Sequence, residues 1–189
     1  MKKIIGSVML GLSSLVILGA CSTTNESINT QHSEHPSGSM NSSSMEMPMH
    51  DSGEIPDNMK KTENPKYPFG TEVKLVGGHM SGMKGAQATV VGAYDTTIYA
   101  VTYLPTDGGE EVENHKWVVQ EELKESNESY SKGDRVVLEA DHMEGMKGAT
   151  ATIDQAINGT AYIVDYEPTD GGKTVTNHKW LTEEELTEQ

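Results

Sequence analysis

The chain has 189 residues, 29 acidic against 14 basic side chains, a formal net charge of −15 and a single Phe among only 34% hydrophobic residues. That balance excludes nucleic acid as a partner, because a phosphate backbone needs clustered Lys and Arg. It also suits anionic lipid headgroups poorly. So little apolar content leaves no room for one large core, and several small cores after a partly disordered stretch fit better.

In chain order, Met1-Lys2-Lys3 is a short positive region and Ile4 to Leu18 is apolar, followed by Leu18-Gly19-Ala20-Cys21. The run is too short, and its end too rich in small residues, for a membrane span, so residues 1–20 read as a secretion signal. The one cysteine sits directly after the small pair. This arrangement resembles the lipobox of bacterial lipoproteins. The resemblance implies that Cys21 receives lipid, becomes the mature N-terminus and holds the protein at the extracytoplasmic face of the cell membrane. No thiol then remains for a disulfide or thiolate site, and a metal site must use His, Met, carboxylate or backbone.

Residues 21–66 are rich in Ser, Asn, His, Met, Pro and Gly, with no apolar period of 3.6 or 2. Such a stretch cannot bury enough apolar surface to offset its ordering entropy and is expected to be a disordered tether.

The remainder is an internal duplication. Residues 70–123 align without a gap on 133–186, and about 30 positions are identical. Retention alternates along the copies. Tyr99, Val101 and Tyr103 recur as Tyr162, Val164 and Tyr166, while Ile98, Ala100 and Thr102 become Ala161, Ile163 and Asp165. A period of two marks strands with one face held by packing. Strands are expected near 71–76, 86–93, 97–103 and 111–118, and again near 134–139, 149–154, 160–166 and 173–181. Tight turns fall at Gly82, Gly85, Gly108 and Gly109. Glu121-Glu122-Leu123 and Glu184-Glu185-Leu186 read as a final helical turn with solvated carboxylates. The fold class is all-β: two small SH3-like or KOW-like barrels in tandem, at 67–124 and 130–189, joined by a polar linker.

Gly133-Asp134-Arg135-Val136-Val137-Leu138 with Gly145 and Gly148 is similar to the opening of a KOW or SH3-like barrel. The longer pattern carries more. His79-Met80-Ser81-Gly82-Met83-Lys84-Gly85, Tyr-x-Val-x-Tyr-x-Pro-Thr-Asp-Gly-Gly, Asn-His-Lys-Trp and Glu-Glu-Leu occur twice, after a lipobox and a His/Met-rich tether. Together they resemble the YdhK family of bacterial lipoproteins and, within that group, the CopL-type copper-binding lipoproteins. The resemblance implies tandem β-barrels and, for the CopL type, copper binding linked to copper tolerance.

The donor inventory agrees with that expectation. All seven histidines, and every methionine after Met9, lie beyond the signal. In the tether the densest run is Met45, Met47, Met49 and His50. In the repeats the candidates are His79, Met80, Met83 and His115, then His142, Met143, Met146 and His178. Thioether sulfur is a soft neutral donor suited to Cu(I), and imidazole suits both copper states. A glycine-punctuated loop can aim neighbouring side chains together, whereas adjacent residues of a flat strand point to opposite faces. The bland alternatives are Met as core filler and Asn-His-Lys-Trp as a device for placing Trp117 and Trp180 in a core. Asp107 and Asp170 read as turn residues.

Catalysis finds no support, since the mature sequence has no Cys beyond the lipid-bearing Cys21, no Gly-x-Ser-x-Gly and no His-Glu-x-x-His. The expectation is therefore a lipid-anchored protein that holds copper, and by the same softness silver, as cargo. It would lower free copper beside the membrane or pass it to a copper exporter or another copper-handling protein. The rival is a cell-wall, peptide or glycan interaction module, which would need Tyr99, Tyr103 and Trp117 in an exposed stripe rather than turned inward.

Overall fold

A computed structural model describes residues Glu54–Gln189. Every described residue belongs to one compact unit. The signal, Cys21 and the tether candidates Met45, Met47, Met49 and His50 lie outside the described residues.

Among the described residues eight strands follow one another with almost no helix: β1 (Lys60–Lys61), β2 (Glu72–Leu75), β3 (Gln87–Tyr103), β4 (Val112–Val119), β5 (Arg135–Val137), β6 (Thr150–Glu167), β7 (Val175–Leu181) and β8 (Leu186–Glu188). Short 3-10 turns at Gln120–Glu122 and Glu183–Glu185 occupy the expected final turns. The all-β reading holds. All eight strands belong to one open antiparallel sheet with the path β5-β6-β3-β2-β8, with β1 and β4 also on β3 and β7 on β6.

The strands expected near 86–93 and 97–103 run on as the single 17-residue β3, and their counterparts fuse into β6. These two long strands pair with each other from Gln87↔Glu167 to Tyr103↔Ala151. Asn158-Gly159, a strong hairpin signal, stays extended opposite Thr97 and Thr96, and Gly159 does not enter the left-handed region. Straightening this point lets each half of a repeat pack on the opposite repeat.

The cores show the exchange directly. One joins Val73, Leu75, Met83, Ala88 and Val90 of the first repeat to Tyr162, Val164, Tyr166, Leu181 and Leu186 of the second. The other joins Tyr99, Val101, Tyr103 and Val118 to Val136, Leu138, Met146, Ala151 and Ile153. These are two of the three apolar clusters among the described residues, one more than the repeat count implies, and neither belongs to one repeat. A third cluster, containing Tyr94, Ile98, Trp117, Ile163 and Trp180, draws on both repeats as well.

The fold also begins upstream of the expected boundary at residue 67. Lys60 and Lys61 pair with Asp95 and Tyr94, and Met59 packs against the third cluster. One apolar anchor and a free strand edge suffice to order a segment whose composition alone reads as tether.

Candidate functional site

The Asn-His-Lys-Trp blocks sit in β4 and β7 where the register against β3 and β6 shifts. Asn114 (φ 50) and Asn177 (φ 53) take the left-handed conformation there, which Asn tolerates better than most residues. Their backbone N–H groups donate to Thr102 Oγ1 and Asp165 Oδ1. The bulge re-aims the next residue, His115 or His178.

The His-Met loops are held by the opposite repeat. Thr169 N–H donates to the Gly82 carbonyl at 2.9 Å, and Thr106 N–H to that of Gly145 at 2.9 Å. Both glycines have positive φ, and a Cβ at Gly82 would lie 2.7 Å from the Asp170 carboxylate. Asp107 and Asp170 are turn residues, accepting from Gly109 and Gly172 N–H. Asp170 also accepts from the Ser81 hydroxyl across the repeat boundary.

This bracing creates two related histidine pairs, each spanning the repeats. His79 meets His178, with Nε2 atoms 3.0 Å apart and stacked rings 5.1 Å between centroids. His115 meets His142, with centroids 6.0 Å apart. Strand exchange thus gives each loop histidine a ring partner from the other copy, and His79 also lies near enough to His115 to be felt electrostatically. Tyr166 lies edge-on to His178 and Tyr103 to His115.

The carboxylates were misjudged. Glu122 is only 5% exposed. Its oxygens accept from His142 Nε2 at 2.8 Å, Trp180 Nε1 at 3.0 Å and Val119 N–H at 3.1 Å. Glu185 accepts from Trp117 Nε1 at 2.8 Å and from the backbone and hydroxyl of Thr182. The signal that could have found them is their place in the motif: each carboxylate recurs with the opposite tryptophan.

Protonation follows from these contacts. Since Glu122 only accepts, His142 presents Nε2–H to it. His79 Nδ1 is buried without a partner, so the less costly tautomer donates Nε2–H to His178 and leaves Nδ1 as a bare lone pair. His115 Nε2 is likewise buried and unpartnered. Burial pushes His79 below the usual imidazole range; Glu185 opposes this, while Lys116 and His142 reinforce it. Burial, with His142 and His79 nearby, lowers His115 to about 3. Both rings are neutral at neutral pH, the form that ligates metals.

The methionines divide. Met83 and Met146 have no exposure and fill the first and second cores. Met80 and Met143 are only partly buried against those cores, and Met143 Sδ lies 3.9 Å from the Tyr103 hydroxyl. Among the described residues, no three His, Asp or Glu side chains converge as a metal centre. Tyr99, Tyr103, Trp117 and Trp180 are buried, which removes the exposed aromatic stripe that the interaction-module reading needs.

Two clefts open beside these pairs. One, of about 1120 Å³, is lined by Glu54–Asn58, Glu121, Glu122, Asp141, His142 and Lys179. The other is lined by His79, Lys116, Trp117, Gln155, Ile157 and Glu185.

The family described as "Protein of unknown function (DUF1541)" matches residues 69–120 and 132–183. "Uncharacterized protein YdhK" of Bacillus subtilis (strain 168) is 48% identical over 186 residues, covering 98% of this chain and 88% of its own length. A crystal structure of the B. subtilis protein, described as a DUF1541 family protein, is similar with a TM-score of 0.70 at 53% identity, over 72% of this chain and 93% of that one. The solution NMR structure of the YdhK C-terminal domain gives 0.62 at 55% identity, over 65% and 93%.

Proposed function

The chain belongs to the DUF1541 family, and on that premise we propose that it is an extracytoplasmic lipoprotein, anchored through Cys21, that binds copper and catalyses no reaction. In this reading it stands close to the CopL-type copper-binding lipoproteins and contributes to copper tolerance by sequestering the ion or handing it to an exporter. The observation that carries the reading is the stacked pair His79 and His178, one from each repeat, with Nε2 atoms 3.0 Å apart. That spacing suits two ligands of one ion, given metal–imidazole bonds of roughly 2 Å, as for zinc.

His79 and His178 form one donor pair and His115 and His142 the other, with Met80 and Met143 as the accessible thioethers. The unpartnered His115 Nε2 is a lone pair already removed from water. A soft cation that accepts it recovers an interaction the metal-free protein forgoes. Met83 and Met146 act as core. The tether methionines and His50 add looser capacity, and silver follows Cu(I).

The test is an anaerobic competition titration of residues 22–189 with Cu(I), comparing the parent with the His79→Ala/His178→Ala and His115→Ala/His142→Ala double variants. Each double variant loses one tight equivalent while the far-ultraviolet circular dichroism stays unchanged. Tight binding of the same stoichiometry in all three proteins, or binding no tighter than micromolar in the parent, defeats the reading.

A further inference from the structure

The two long strands are not equally covered. The outer edge of β3 carries β2 at Gln87–Thr89, β4 from Ile98 onward and β1 between them, with Lys60↔Asp95 and Lys61↔Tyr94 in register and Thr62 N–H donating to the Ala93 carbonyl at 3.0 Å. On β6, β5 ends its pairing at Thr152 and β7 begins at Tyr162. Among the described residues nothing pairs in the gap. Gln155, Ala156, Asn158 and Gly159 are exposed there, whereas their counterparts Gly92, Ala93, Asp95 and Thr96 are half-buried.

We propose that this gap in the edge of β6 is a docking slot for an extended, basic, methionine-bearing peptide segment of another polypeptide, added as a short antiparallel strand in the manner of β1. Four observations select that occupant. The flanking strands β5 and β7 already fill the neighbouring row, so a second folded sheet cannot approach β6 edge to edge and a single strand can. Ala156 corresponds to Ala93, whose carbonyl takes the Thr62 N–H, so its own N–H and C=O face the gap. Ile157 is a partly buried member of the third apolar cluster, the cluster that Met59 covers beside β1; an unbranched apolar side chain fits the corresponding place. The clefts bordering the gap hold Asp154, Glu184 and Glu185 against Lys116 and Lys132, and the chain as a whole carries −15, a long-range field that favours a basic strand such as one resembling Met59-Lys60-Lys61. The slot adjoins the cleft that His79 lines and needs no metal there.

The probe is a synthetic peptide of residues 58–62 with blocked ends, Asn-Met-Lys-Lys-Thr, whose only charged side chains are Lys60 and Lys61, added to the 15N-labelled protein spanning 22–189. Amide shifts at 155–159 are expected to move in a saturable way. Ala156→Pro removes an outward N–H without touching the β3–β6 ladder and is expected to weaken binding roughly three- to tenfold, the loss of one ladder hydrogen bond. Ile157→Lys, which keeps the backbone and removes the apolar contact, is expected to weaken it as well, with both variants melting within a few degrees of the parent. Shifts confined to 93–96 would mean that the peptide merely exchanges with β1, and binding unchanged in both variants would place it elsewhere; either result overturns the proposal. So does sedimentation showing a dimer whose 155–159 amides are protected, since a second copy then fills the slot.

Discussion

The two histidine pairs come from one duplicated sequence yet are built differently. At the second, His142 gives its Nε2–H to a buried carboxylate, Glu122. At the first, His79 turns to His178, and Glu185 is tied to Thr182 and Trp117. Two substitutions account for the difference. Thr182 stands where the first repeat has Val119, and its hydroxyl engages Glu185 Oε2 at 3.0 Å. Gly77 stands where the second repeat has Ala140, and a Cβ at 77 would lie 2.7 Å from Glu185 Cγ. Glu185 occupies space that Ala140 fills in the other copy. One methyl and one hydroxyl thus decide whether an imidazole is committed to a carboxylate or to another imidazole.

The largest expected break in this comparison comes from the carboxylates. Glu122→Leu strands His142, the Trp180 indole and the Val119 amide, and should cost about 3–5 kcal/mol. Glu185→Leu, at the more open site, should cost about 1–2 kcal/mol. Urea denaturation measures both, and equal losses would show that the two carboxylates play the same part. Next, Met83→Ala should cost about 2–5 kcal/mol as a cavity in a sealed core, and Met80→Ala about 1 kcal/mol. For copper affinity the order should reverse, which a Cu(I) competition titration of the two folded variants reads directly.

The pH dependence of the metal-free protein separates the pairs further. The folded pKa of His115 is depressed from 6.5 to about 3, so in that window the unfolded chain binds a proton that the folded chain refuses. The stability associated with neutral His115 is present above pH 6.5 and is lost as pH falls toward 3, at about 1.4 kcal/mol per unit. Denaturation curves between pH 7 and 4 should flatten for His115→Phe relative to the parent, and parallel curves would assign the loss to other groups. The smallest effect is the most specific. Gly77→Ala should cost roughly 1 kcal/mol and push the Glu185 carboxylate aside, toward the arrangement at His142. An NMR titration should then show the His79 pKa rising, and an unchanged value would remove Gly77 as the cause of the asymmetry.

Much of the fold was legible because packing faces are written in period two. Tyr99, Val101 and Tyr103 were retained against changing neighbours and all three are buried, but the neighbours Ile98 and Ala100 are buried too, because the other face of β3 is covered by the third cluster. The turns at Gly82 and Gly85 were legible for a backbone reason, since both take positive φ. The candidate histidines were legible as types. Their pairing was not, because an offset of 63 residues describes similarity between copies and is silent on which copy a strand packs against. Glu122 was read as solvated because a Glu-Glu run beside a turn usually is; its burial depends on Trp180, which arrives from the other repeat.

Composition, duplication and strand periodicity by themselves determined an all-β protein with two equivalent small cores, a set of soft and borderline donors in repeated loops, and a family relationship. Tertiary structure alone decided that β3 and β6 run straight through a potential hairpin. The reason lies in where the apolar faces find cover: a strand folded back would meet only its own repeat, whereas a straight one is paired along its whole length by its duplicate. That choice exchanges the halves, brings His79 to His178, and leaves one strand edge capped and its twin open.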